Sequence, residues 1–176
     1  IYEHKKKNSK LSSQILYGEK FTILKKYKDW YKIKTDYDKY VGFIRKKKFE
    51  KFTYKPTHKV SSLKANVFSK PYKGSKIKMK LSFASLLQIK MSKNNFLNFD
   101  NYWIRNSDVV PISYKEKIFN KITIFKDVKY KWGGKKFDGI DCSGLVQLFY
   151  KFNNLYCPRD TGPQFRYFKK FKSITK

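Results

Sequence analysis

The chain has 176 residues, 40% of them hydrophobic and 19% aromatic, and a formal charge of +29. That length suits one large domain or two to three small ones, and the aromatic content lets it build cores despite its charge. No 18-residue apolar run is present, so no transmembrane helix is expected. The chain does not begin with Met, stops at "FKKFKSITK" without a terminating signal, and shows no signal peptide. It therefore reads as a fragment, and its export stays open.

The charge itself has two readings. A balance of +29 fits a polyanionic partner, such as nucleic acid or an anionic envelope polymer. Only Arg45, Arg105, Arg159 and Arg166 are arginine among 42 cations, however, and Asn, Ile, Phe and Tyr are abundant. Base-edge readout favours the bidentate arginine fork. The lysines read instead as solvated faces with the composition of an AT-rich genome, and no specific nucleic-acid partner is expected.

Residues 1–14 are polar and basic and read as a frayed lead-in. "EKFTILKKY" then alternates Phe21 and Ile23 and, after a slip, Tyr27. "DWYKIKT" and "KYVGFIR" continue with short strands, and the turns between them point to a small β-barrel. Gly18 and Gly42 suit turns or bulges. "TYKPTHKV", residues 53–60, is a proline-bearing linker. A second strand set follows in "ASLLQIKM", "NNFLNFD" and "NYWIRNSDVV". Phe21 to Tyr31 and Leu86 to Phe96 span equal intervals, and Tyr40-Val41 matches Tyr102-Trp103. This weak repeat predicts two copies of one barrel.

Past residue 112 the pattern changes. "YKEKIFNKITIFKDVKY" places Ile118, Ile122 and Phe125 at helical spacing. "CSGLVQLFYKF" presents Leu145, Val146, Leu148, Phe149 and Phe152 on one helix face, and "NNLYCPRDTGP" ends it. No sheet is legible to cover that face, so it should lie open.

Cys142 falls in the first turn of this helix, with Asp141 near the cap. Free amides and the positive dipole end gather there and favour thiolate over thiol. The same amides can hold a developing oxyanion. The other cysteine, Cys157, lies about 18 Å away along an intervening helix, and a disulfide needs Cα atoms within about 7 Å. Cys157 reads as structural, and Cys142 as either a nucleophile or a small buried filler.

"YKWGGKKFDGIDCSGLVQ" followed by "CPRDTGPQ" resembles the nucleophile region of the NlpC-type cell-wall cysteine endopeptidases. "SSQILYGEKFTIL", "DWYKIK" and "YVGFI" resemble the first of their companion bacterial SH3-like domains. The resemblance implies two small all-β SH3-like barrels, residues 1–55 and 56–112. The N-terminal part of an α+β papain-like domain, residues 113–176, would follow them.

It also implies an activity, with no cofactor or metal. Cys142 would attack the amide after γ-D-Glu in murein-derived peptides that carry a free N-terminal L-Ala. Tyr130 would line the oxyanion and substrate pocket. Asp141 would help hold the L-Ala amine, Ser143 would contact substrate, and Thr161 would meet the D-Glu carboxylate. Resemblance to peptide-recycling members favours a cytoplasmic location, with the cell envelope left open. An acidic residue of an SH3-like loop would add to amine binding, with Asp29, Asp36 and Asp38 as candidates.

A thiol nucleophile of this kind needs a histidine base. His4 lies in the lead-in and His58 in the linker, whereas the family carries its base after the cysteine helix. The expectation is a nucleophile-bearing piece of an enzyme, inactive alone. The alternative is a non-catalytic module that binds wall peptide. Arg159 and Asp160 read as a local ion pair shaping the turn.

Overall fold

The computed structural model describes residues 1–49 and 55–172. Residues 50–54, which include residues 53 and 54 of the expected linker, and residues 173–176 lie outside the described residues, whereas His58–Val60 of that linker forms a strand.

β1 (Phe21–Lys26), β2 (Trp30–Thr35) and β3 (Val41–Arg45) form an antiparallel sheet in that order. The slip read in the sequence is a bulge. Pairing passes from Ile23↔Ile33 to Lys25↔Lys32, which leaves Leu24 as the extra residue. Ile33 and Ile44 are buried with Ile1, and Phe21 and Tyr40 pack against them.

Ile1 corrects the expectation of a frayed lead-in. Tyr2 exchanges backbone hydrogen bonds with Phe43, at 2.8 and 2.9 Å. Gly42 permits this approach, since a Cβ there would lie 2.3 Å from the Ile1 side chain. Close packing, rather than a turn, explains that glycine.

The second β unit holds β4 (His58–Val60), β5 (Lys64–Phe68), β6 (Ile77–Ser82) and β7 (Leu86–Leu87). It continues with β8 (Met91–Lys93), β9 (Phe96–Phe99), β10 (Tyr102–Arg105) and β11 (Val109–Pro111). One sheet runs β6-β5-β10-β9-β8 and another β11-β4-β7. Val60, Val67, Leu81, Leu87, Phe99 and Ile104 fill the core. The adjacent strands β8, β9 and β10 repeat the order of β1, β2 and β3. β5 and β6 were not anticipated, although Ile77, Met79 and Leu81 alternate with lysines in β6.

Between residues 112 and 134 only a 3-10 turn forms, Ile122–Phe125. Three consecutive β-branched residues, Ile122, Thr123 and Ile124, resist a longer helix. β12 (Lys135–Lys136) and β13 (Gly139–Ile140) make a small hairpin. α1 (Cys142–Phe152) has the bounds of the quoted helical stretch. α2 (Thr161–Lys172) was not anticipated.

The apolar face of α1 is covered, which corrects the expectation of an open face. Leu148, Phe149 and Phe152 are buried against Leu16, Phe83, Phe125 and Ile140. Phe83, on the turn after β6, stands 4.5 Å from the Phe152 ring and 5.4 Å from Phe149. The second β unit thus supplies the missing cover.

Two buried lysines fasten the same helix. Lys59 of β4 donates to the carbonyls of Ile112, Tyr114 and Phe152, which puts a cation at the negative end of α1. Lys151 of α1 and Lys135 of β12 both pair with buried Glu19. Burial alone would raise the Glu19 pKa, but these two lysines overcome it and hold the carboxyl at about 2.

Phe83→Ala should cost about 3–5 kcal/mol, measured by chemical denaturation followed through α-helical signal. A loss below about 1 kcal/mol would mean that α1 does not lean on the second β unit.

Candidate active site

The site begins with a cap. Asp141 is extended, at φ −99° and ψ 170°, and its side chain accepts from the Gly144 amide at 2.7 Å. A residue of this type at this position satisfies one of the free donors of the first turn. The second carboxylate oxygen accepts from the Gly133 amide at 2.8 Å, so the Gly-Gly loop is tied to the same group. Gly144 lets the loop close on the helix: a Cβ there would lie 2.6 Å from the Gly134 carbonyl.

Arg159 completes the arrangement. It donates to both Asp141 oxygens, at 2.9 and 2.6 Å, and to the Ser143 hydroxyl at 3.0 Å. Its Nε reaches Ser13 Oγ at 3.1 Å. Asp141 and Arg159 are 7% and 3% exposed. Burial would raise the Asp141 pKa, yet Arg159 and the two amides hold it below the usual carboxylate range. Gln164 of α2 then fastens the second helix, donating to the carbonyls of Ser143 and Pro158 at 2.8 Å.

This geometry redistributes the expected roles. Arg159 pairs with Asp141 rather than with its neighbour Asp160. Both Asp141 oxygens are engaged, and Ser143 is buried between Asp141 and Arg159. In this arrangement the two residues build the helix start on either side of Cys142. Cys142, at the first position of α1, is exposed. Thr161, at the first position of α2, is exposed as well. Tyr130 and Trp132 are 66% and 64% exposed, so neither serves as a core aromatic. A parallel bridge from Tyr130 to Ile140 holds the Tyr130 backbone beside β13.

Three further residues stand by the site: Asp38 and Asp160, which the sequence reading named without this placement, and Tyr37, which it did not name. Of Asp29, Asp36 and Asp38, Asp38 meets the helix: Gln147 of α1 donates to it at 2.8 Å. The neighbouring Tyr37 hydroxyl donates to the Leu155 carbonyl at 2.7 Å. Asp160 is exposed, and its pKa is raised by partial burial and by the charges of Asp141 and Asp38, with Arg159 opposing. Asp38, Asp141 and Asp160 therefore share one electrostatic neighbourhood with a single arginine, inside a strongly basic chain.

Cys157 is buried, and burial together with Asp38 pushes its thiol up to about 12. His58 Nδ1 sits 3.0 Å from Thr57 Oγ1, and the His4 amide bonds Ser9. Among the described residues no hydrogen bond joins either histidine to Cys142. Among the same residues no group of three or more His, Cys, Asp or Glu is arranged to hold a metal ion.

The site is thus an exposed cysteine at a capped helix start, beside a buried Asp–Arg pair whose arginine also reaches Ser13 of the N-terminal segment. Residues 127–176 match the NlpC/P60 family model, and residues 1–49 match the bacterial dipeptidyl-peptidase SH3 domain model. The two matched segments together give the chain the makeup of an NlpC-type protein with an SH3 domain.

It is 30% identical over 174 residues to the gamma-D-glutamyl-L-lysine dipeptidyl-peptidase of Bacillus subtilis (strain 168), covering 88% of this chain and 57% of that protein. The protein of the same name from Bacillus cereus (strain ATCC 10987 / NRS 248) is 26% identical, with coverage of 90% and 55%. The chain thus spans somewhat more than half the length of these relatives. A crystal structure of an NlpC/P60 family protein from B. cereus ATCC 10987 shares the fold. Its TM-score is 0.74 at 24% identity, over 90% of this chain and 60% of that one. No helix among the described residues is long and apolar enough to cross a membrane.

Two outcomes follow from the geometry. Iodoacetamide should label Cys142 in the folded protein and Cys157 only after denaturation, as read by peptide mass mapping. Arg159→Leu, which strands a buried carboxylate, should cost about 3–5 kcal/mol. Pairing it with Asp141→Asn should restore part of that loss, and simple additivity in a double-mutant cycle would contradict the coupling.

Proposed function

We propose that the chain carries the nucleophile half of a cysteine peptidase. Its substrates are peptidoglycan-derived peptides with a free N-terminal L-Ala, cut at the γ-D-glutamyl–diamino acid bond. The observation that carries this reading is the exposed Cys142 at the start of α1, with a cap locked by Arg159. The names of the two relatives support the substrate class. The bacterial SH3 match at residues 1–49, and the repeated strand order in the second unit, support two SH3-like domains, residues 1–55 and 56–112. Residues 113–176 are then the start of the peptidase domain.

In this reading the Cys142 thiolate attacks the carbonyl carbon after γ-D-Glu. The amide C–N bond breaks, the diamino acid leaves with a proton on its amine, and water hydrolyses the thioester. The free amides at the start of α1 stabilise the oxyanion. Tyr130 and Thr161, both exposed, contact the peptide. Asp141 helps hold the L-Ala ammonium and Ser143 contacts the substrate, and the carboxylates of Asp38 and Asp160 add to an acidic corner suited to that ammonium. The base is a histidine from the part of the relatives' length that this chain does not span. The positions of His4 and His58 favour one second reading, a module that binds the peptide without cutting it.

The test uses the product of the whole gene beside its Cys142→Ala variant, each given L-Ala-γ-D-Glu-diaminopimelate. Mass spectrometry should find released dipeptide with the first and loss of at least about 10³-fold with the second. Binding without cleavage by both proteins would favour the module.

A further inference from the structure

We propose that the cleft between the two β units is a second binding site, and that it takes a linear phosphate polyanion. The cleft has a volume of about 1200 Å³, above the usual range for a compact small-molecule site. Cys142, Tyr130, Asp141, Ser143 and Thr161 are not among its lining residues.

Its cations come from three parts of the chain. Arg45 ends β3 and Lys47 and Lys48 follow it, Lys80 stands on β6, and Lys136 on β12. The acids in the lining are already engaged. Glu19 is paired with Lys135 and Lys151, and Asp100 receives the Tyr17 hydroxyl. Lys136 is shared with Asp138, at 3.4 Å. Arg45 and Lys47 rest over the rings of Trp30 and Phe49, at 5.0 and 5.6 Å, and so keep their charge available. The cleft is cationic on balance.

Length and chemistry follow from this layout. Cations spread over three segments suit an extended ligand with repeated charge. Lysine offers a point charge that accepts phosphate without demanding planar geometry. The aromatic rings argue against a base-stacking site, which needs free ring faces. Tyr17 and Tyr102 pack on Phe99, and Phe21 packs edge-on against Phe49 at 5.1 Å. Inorganic polyphosphate and poly(glycerol phosphate) share the chemistry the cleft fits. The apolar side chains of Met79 and Leu81 in the lining would favour the glycerol polymer.

The experiment measures binding of fluorescent polyphosphate, poly(glycerol phosphate) and oligo(dT) across a salt series. It compares the whole chain with two triple variants. One replaces Lys47, Lys48 and Lys80 with Gln. The other replaces Lys70, Lys76 and Lys93, exposed lysines absent from the cleft lining, and so keeps the same net charge as the first. Circular dichroism checks that all three fold.

The cleft variant should lose at least about tenfold in affinity at low salt, and its salt slope should fall by about 2. The control variant should stay near the parent. Tighter binding of the glycerol polymer than of polyphosphate identifies a wall polymer as the source, and the reverse order identifies free polyphosphate. Equal losses in both variants would overturn the proposal in favour of diffuse charge. Tighter, cleft-dependent binding of oligo(dT) would overturn it in favour of nucleic acid.

Discussion

The Asp141–Arg159 pair is the interaction on which the rest of the site depends. A buried carboxylate without a partner is costly, and so is a buried guanidinium. Here each satisfies the other, and both recruit further groups. Asp141 takes the amides of Gly144 and Gly133, so the helix start and the Gly-Gly loop share one anchor. Arg159 takes Ser143 and Ser13, so the N-terminal segment is bound into the same network. Cys142 lies between Asp141 and Ser143 in sequence and points out of that network. Its backbone is held while its thiol stays exposed. Placing a functional side chain on rigid, buried supports is how a site keeps its geometry.

Around that pair the molecule is joined by charge as much as by apolar contact. Glu19 sits between lysines of β12 and α1, Lys59 holds the end of α1, and Asp38 meets Gln147. Each contact crosses from one part of the chain to another. The aromatic cluster of Phe83, Phe125, Phe149 and Phe152 supplies the apolar share. A chain with 42 cations and 13 acids has few carboxylates to spend, and Glu19 and Asp141 are buried at the junctions. Most of the other described lysines are exposed, and Lys47, Lys48, Lys80 and Lys136 line the cleft.

The sequence made some of this legible. Five apolar residues on one face defined α1, and the Asp-Cys pair marked its start, because capping and periodicity are local. The three strands of the first sheet, and a slip in the alternation between Ile23 and Tyr27, were legible for the same reason. Arg159 was harder. Its partner lies 18 positions earlier, and no local rule brings the two together. The signal was compositional: an arginine in a lysine-dominated chain marks a place where the bidentate fork is needed. α2 was hidden because Gly162 and Pro163 read as breakers, although proline is tolerated in a first helical turn. The cover of α1 by Phe83 was not legible at all, since it joins residues about seventy positions apart in sequence.

The central claim is that Cys142 becomes covalently attached to the peptide it cuts. The most direct measurement is acid quenching of the whole-gene protein during turnover of the γ-D-glutamyl peptide, followed by mass mapping of its fragments. The account predicts a dipeptidyl adduct on the fragment that contains Cys142, absent once substrate is exhausted. Steady release of dipeptide with Cys142 unmodified throughout, and with the Cys142→Ala variant equally active, would contradict it.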